Sequence, residues 1–207
     1  MTASLVMLTP SAGASTTESA SAPLGKVTID VAAVNGTGCP PGTAAVAVAP
    51  DNSAFTVTYS SYMAQVGPGA PATAGRRNCL LSLVVHIPQG YTYAIAQADY
   101  RGFASLAAGA LGTQKAGYYF QGMSQTAQRT HEFAGPFSDN WQTTDTTRIN
   151  ALSWSPCGEQ RNFNINTELR VEAGTSSPSA TSFMALDSTD GSVTSIYHFS
   201  WKQCPGR

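Results

Sequence analysis

The sequence predicts an all-β fold: a two-layer antiparallel β-sandwich, jelly-roll-like, of about ten strands clamped by two disulfides. Three observations carry that expectation. Apolar and polar residues alternate with strand periodicity from Lys26 to the end of the chain, as half-buried strands do. Clusters of Gly, Pro, Asn, Asp and Ser interrupt the alternation at sandwich-like intervals. No apolar stripe of helical period runs far enough for a long amphipathic helix.

The strands follow in order. Lys26–Val34 puts Val27, Ile29 and Val31 on one face. The cluster Asn35–Gly42, with Pro40 and Pro41, ends it, since neither helix nor central strand tolerates that composition. Thr43–Ala49 is a second apolar strand, turned by Pro50-Asp51-Asn52-Ser53. Ala54–Ser60 alternates cleanly, with Phe55, Val57 and Tyr59 together. Gly67–Gly75 reads as a loop, and the basic doublet Arg76-Arg77 as solvated loop beside it. Cys79–Ile87 is apolar on both faces, which predicts a covered, central strand. Tyr91–Tyr100 is a long strand. Ala-rich Gly102–Leu111 suits either a short helix or a bulged strand.

Tyr118–Met123 and Thr126–Phe133 read as strands, Asp139–Thr147 as polar loop, and Ile149–Trp154 as a strand. Asn162–Glu172 has the clearest pattern, with Phe163, Ile165, Thr167, Leu169 and Val171 inward. Ser182–Leu186 and Ser192–Lys202 flank Asp187–Gly191 and read as a hairpin. The last strand sets Tyr197, Phe199 and Trp201 opposite Ile196 and His198.

The chain has 207 residues, enough for one sandwich domain over 25–207. Residues 1–24 read as a signal-like or disordered leader. They hold no Lys or Arg, a short apolar patch (Ala3–Leu8) and two small-x-small sites, at Ala12-Gly13-Ala14 and Ala20-Ser21-Ala22. A mature start near Pro23 follows from that reading.

Cys39, Cys79, Cys157 and Cys204 form no CxxC pair, which argues against zinc ribbons and thioredoxin-like sites. Of three possible connectivities, Cys39–Cys79 with Cys157–Cys204 joins neighbouring stretches of sheet. Loops of roughly 40 and roughly 47 residues are worth about 4 kcal/mol each in the chain-entropy picture. Disulfides place the chain outside the cytoplasm.

Charged residues make up 11% of the chain, against about 25% in an average globular protein. No apolar run approaches the roughly 20 residues of a spanning helix. The net charge of -1 excludes a phosphate-backbone binder, which needs clustered cations.

The chemistry-bearing candidates are few. Asp187 and Asp190 share one tight turn and offer hard oxygen ligands to calcium, although Asp and Gly also suit the turn itself. His86, His131 and His198 share no short metal-ligand spacing. No G-x-S-x-G elbow occurs, and His198, between Tyr197 and Phe199, reads as structural. Paired carboxylates of the glycosidase kind are Glu168 with Glu172, or Asp139 with Asp145. The second pair flanks Trp141, so ring and acids together suit a sugar; otherwise Trp141 anchors its loop. In Tyr118-Tyr119-Phe120, alternation turns Tyr119 away from Tyr118 and Phe120. Trp141, Asp139, Asp145 and Tyr118 are thus the candidate ligand residues. Asn35-Gly36-Thr37 is an acceptor sequon.

Lys26-Val-Thr-Ile-Asp-Val, Asn35-Gly-Thr-Gly-Cys-Pro, Gln97-Ala-Asp-Tyr-Arg-Gly-Phe and Trp154-Ser-Pro-Cys-Gly resemble a family of small secreted proteins. The family occurs in actinobacteria and filamentous fungi and is catalogued as domain of unknown function 4360. The resemblance runs from about Lys26 to Cys204 with all four cysteines. It implies export and a compact domain, and carries no catalytic residue onto this sequence.

The leading expectation is a secreted, non-enzymatic binding or surface-associated protein, with an extracellular glycan or cell-wall polymer as partner. A secreted hydrolase using Asp139, Asp145 or His198 is the alternative, and requires two of these groups in one cleft. A structural, self-assembling protein is the third reading. Low net charge offers little self-repulsion against it.

Overall fold

The computed structural model describes residues 20–124, 128–186 and 195–205. Among them are twelve strands in two antiparallel sheets and two short 3-10 turns, Ala72–Gly75 and Ile149–Ala151. The strands are β1 (Thr28–Asn35), β2 (Ala44–Val48), β3 (Ala54–Tyr59), β4 (Met63–Val66), β5 (Arg76–His86), β6 (Tyr91–Leu106), β7 (Leu111–Phe120), β8 (Arg129–Ala134), β9 (Phe137–Thr146), β10 (Phe163–Glu172), β11 (Ser182–Ala185) and β12 (Ser195–Gln203). One sheet has the order β1-β5-β10-β7-β8. In the other, β2-β3-β12 and β4-β11 both join β6, whose other edge carries β9.

The β-sandwich follows from the alternation. Phe163, Ile165, Thr167, Leu169 and Val171 on β10 are all buried. They face Tyr93, Tyr100, Tyr197 and Phe199 of the larger sheet across an aromatic core. Tyr93 packs on Phe120 and Phe163, and Tyr118 packs edge-on to Tyr197. β5 is central, as its two apolar faces require, between β1 and β10. Both disulfides pair as the spacing suggested, Cys39 with Cys79 and Cys157 with Cys204.

Several expectations are corrected. Val31 is exposed because a bulge between Val31 and Ala33 breaks the alternation of β1. Of the two readings of Gly102–Leu111, helix is excluded and strand holds at its start: β6 continues through Leu106. Arg76 and Arg77 open β5 rather than a loop. Asp139–Thr147 is not loop but most of β9.

Ile149–Trp154 is not a strand. Past Thr147 the chain crosses the uncovered end of β6 and makes one backbone bond there, Ser155 N–H to the Tyr93 carbonyl at 2.8 Å. β11 and β12 are not a hairpin either. Both pair antiparallel with β6, at Phe103–Ser105 and at Tyr91–Tyr100. Since β9 occupies the other edge, they lie in tandem along one edge.

The fold also takes in residues assigned to the leader. Ala20 N–H donates to the Trp201 carbonyl, and Asn52 Nδ2 donates to the carbonyls of Pro23 and Gly25 at 2.9 and 2.8 Å.

Candidate binding cavity

The site grows out of β9, which is polar on both faces yet alternates in burial. Trp141, Thr143 and Asp145 are buried while Asn140, Gln142, Thr144 and Thr146 are exposed. The run of β-branched threonines suits a pleated edge strand. β9 forms ten cross-strand pairs with β6, from Gln97↔Thr146 to Leu106↔Phe137. Across the sandwich stands β8, the edge of the other sheet. Side chains of β8 and β9 close this flank in three rungs. Phe133 packs on Trp141 at 5.4 Å, His131 Nε2 meets Asp145 Oδ1 at 2.7 Å, and Arg129 Nη2 donates to the Thr146 carbonyl at 3.4 Å.

Asp145 is the centre. It is 6% exposed, and a buried carboxylate is costly unless paired and hydrogen-bonded. Its second oxygen accepts from the Tyr118 hydroxyl at 3.2 Å, and Tyr118 in turn touches the Tyr100 hydroxyl. Burial, with the Asp145 charge as the next cause, pushes the Tyr118 phenol well above its ordinary range, so it stays protonated and donates. Each Asp145 oxygen holds one protein partner and retains acceptor capacity.

Beside this network lies a cavity of about 190 Å³ whose wall includes Ile95, Ala98, Phe120, Phe163, Tyr118 and Asp145. Thr147 and Ser153 add hydroxyl-bearing residues to it. Tyr118 stacks on Phe163 with planes 8° apart. Pockets for drug-sized ligands begin at about 300 Å³, so this cavity takes one ring or one chain end. Gln97 and Arg129 line it too, so carboxylate, guanidinium, amide and hydroxyl groups offer both donors and acceptors to a hydroxyl-rich ligand.

The candidate residues divide. Asp145 and Tyr118 come together. Trp141 is 4% exposed and serves as an anchor: it packs on Phe133, and Gly102 leaves room for its indole. Asp139 is exposed near the far end of β9, about 20 Å from Asp145 along the strand.

His198 sits on the outer face of the same sheet. There it bonds Asp99 at 2.8 Å, and Thr144 and Gln97 also donate to that carboxylate. Asp139, Asp145 and His198 therefore share no cleft. Glu168 and Glu172 lie on the outer face of β10, paired with Arg76 and Arg170. Asp187 and Asp190 lie outside the described residues. Among the described residues no group of three potential metal ligands occurs, and no helix is long and apolar enough to cross a membrane. His131, weighed in the sequence only as a metal ligand, is brought to Asp145 by the fold alone.

A relative from Arthroderma benhamiae, described as an uncharacterized secreted protein, is 35% identical over 179 residues, 86% of this chain and 72% of its own length. Solved structures that overlap this one include TmCBM61 in complex with beta-1,4-galactotriose, at TM-score 0.29 and 12% identity over 86% of this chain and 88% of that one. The enzymatically active domain of tailspike protein 4 of bacteriophage CBA120 overlaps at TM-score 0.28 and 9% identity, over 86% of this chain and 19% of its own. The family description "Domain of unknown function (DUF4360)" matches residues 25–204. The chain belongs to that family.

Proposed function

We propose that this protein is an exported carbohydrate-binding protein whose cavity holds one sugar unit of an extracellular glycan or cell-wall polymer. One observation carries the reading: a carboxylate, Asp145, 6% exposed, set in a wall otherwise rich in apolar and aromatic residues. A sugar ring offers hydroxyls to the carboxylate and C–H faces to Tyr118 and Phe163. A purely apolar ligand would leave unused the acceptor capacity that Asp145 retains beside His131 and Tyr118. Export is supported by two disulfides and by a relative described as secreted. Retention of the full chain on insoluble glucans, galactans and chitin tests the reading. Retention that free monosaccharide displaces is expected; no retention on any polysaccharide or wall fraction removes it.

The His131–Asp145 pair favours a second reading, an extracellular hydrolase in which the buried acid orients the imidazole as a general base. Release of reducing ends from those polymers, lost in His131→Gln, separates it from simple binding. Calcium at Asp187 and Asp190 is a further proposal. A melting temperature raised by calcium and lowered by chelator is its expected mark.

A further inference from the structure

The outer face of the smaller sheet breaks a rule of strand pairing. Arg76 and Arg170 stand directly opposite each other across β5 and β10, and like charges in that position are destabilising. Each is drawn aside by a glutamate. Arg76 holds Glu168 with Nε at 2.8 Å and Nη2 at 2.5 Å, and Arg170 holds Glu172 at 2.7 Å. The adjoining cross-strand row is Asn78–Glu168–Lys115. Lys115 has no carboxylate within ion-pair distance among the described residues, since the only acid in its row is taken by Arg76. These residues line an open cleft of about 670 Å³, with Asn166 and Gln128 adding two more amides. The row from β5 to β7 spans about 10 Å.

We propose that this cleft is a second glycan site, separate from the cavity at Asp145, and that it takes a polysaccharide bearing carboxylates of the uronic-acid kind. Charge complementarity selects that occupant. Three cations against two acids, both acids neutralised by their arginines, leave Lys115 to meet one negative group. Asn78, Asn166 and Gln128 each both donate and accept, which matches the neutral hydroxyls between the charges of a uronate chain. A doubly charged phosphate exceeds the one cation left over, Lys115, whereas a single carboxylate matches it. Local rules of this sort are broken at functional sites more than elsewhere.

The test is affinity electrophoresis and calorimetry of the full chain with polygalacturonate, with its fully methyl-esterified form and with dextran sulfate. Polygalacturonate is expected to bind, less tightly as salt rises, and the neutral ester at least about five-fold more weakly. Lys115→Ala should weaken polygalacturonate binding by about five-fold and Lys115→Arg should retain it. Both variants should keep the wild-type melting temperature and single-sugar binding in the cavity. Equal binding of the ester, an unchanged affinity in folded Lys115→Ala, or no binding to polygalacturonate at low salt overturns the proposal. Tighter binding to dextran sulfate than to polygalacturonate overturns its choice of carboxylate.

Discussion

The Tyr118 hydroxyl donates to Asp145 Oδ2 at 3.2 Å, so a strand of the smaller sheet and an edge strand of the larger one are tied through a buried phenol and a buried carboxylate. The same carboxylate accepts from or pairs with His131 at 2.7 Å. Together they fix Asp145 in one orientation toward the cavity, which is the preorganisation a binding site needs. Tyr118→Phe removes one donor and keeps the ring. It should weaken sugar binding about five-fold, with melting temperature shifted by only a few degrees in calorimetry.

Asn52 joins the N-terminal segment to the last strand. Its Oδ1 accepts from Val27 N–H at 3.2 Å, its Nδ2 donates to Pro23 and Gly25, and its carbonyl accepts the Trp201 indole N–H at 3.0 Å. It does so at φ 56°, a left-handed conformation that asparagine tolerates. Asn52→Ala loses the side-chain bonds and strains the backbone, at about 3 kcal/mol. Asn52→Gly relieves the strain and should recover about 1 kcal/mol of that loss in urea unfolding.

Gly102 lies where a side chain has no room. A Cβ there would stand 1.9 Å from the Ala185 carbonyl oxygen and 2.6 Å from Trp141 Cζ2. Gly102→Ala therefore forces β11 and Trp141 away from β6. A loss of about 3 kcal/mol is expected, with a change in Trp fluorescence as the indole moves.

Acid should weaken the outer-face cluster. Burial alone would raise the Asp99 carboxyl, but hydrogen bonds from Thr144, Gln97 and His198 outweigh it and hold the group below its ordinary 3.8. A carboxyl depressed in the folded state adds stability above its unfolded pKa and loses it as pH falls through the folded value. Between about pH 6 and about pH 3, wild type should lose more stability in urea titrations than Asp99→Asn does. Equal losses would contradict the assignment.

The disulfides give a covalent check. Peptide mapping without reduction should recover Cys39–Cys79 and Cys157–Cys204. Removing the second bridge through Cys157→Ser with Cys204→Ser should cost about 4 kcal/mol. Four thiols open to alkylation in native protein would contradict the account.

What could be read from the sequence depended on contrast between faces. β10 was legible because Phe163, Ile165, Leu169 and Val171 alternate with Asn164, Asn166, Glu168 and Arg170. β9 was not, because its inward residues Thr143 and Asp145 are as polar as its outward ones. Only its threonines hinted at a strand. The Asp187–Gly191 turn signal announced a break between strands but not their partners, and β6 claimed both. Asp145 and Tyr118 were named from residue type. Their meeting, and the arrival of His131, depend on the register of β9 on β6 and of β7 on β8, which no local pattern encodes.

Amide spectra of ¹⁵N-labelled protein, titrated with glucose, galactose, mannose and N-acetylglucosamine to about 50 mM, reach Kd values weaker than about 1 mM. At least one sugar should shift resonances at Ala96–Ala98, Tyr118–Phe120 and Thr147, and the shifts should vanish in a folded Asp145→Asn variant. Shifts confined to other surfaces, or shifts that persist in that variant, would contradict a sugar site built on Asp145.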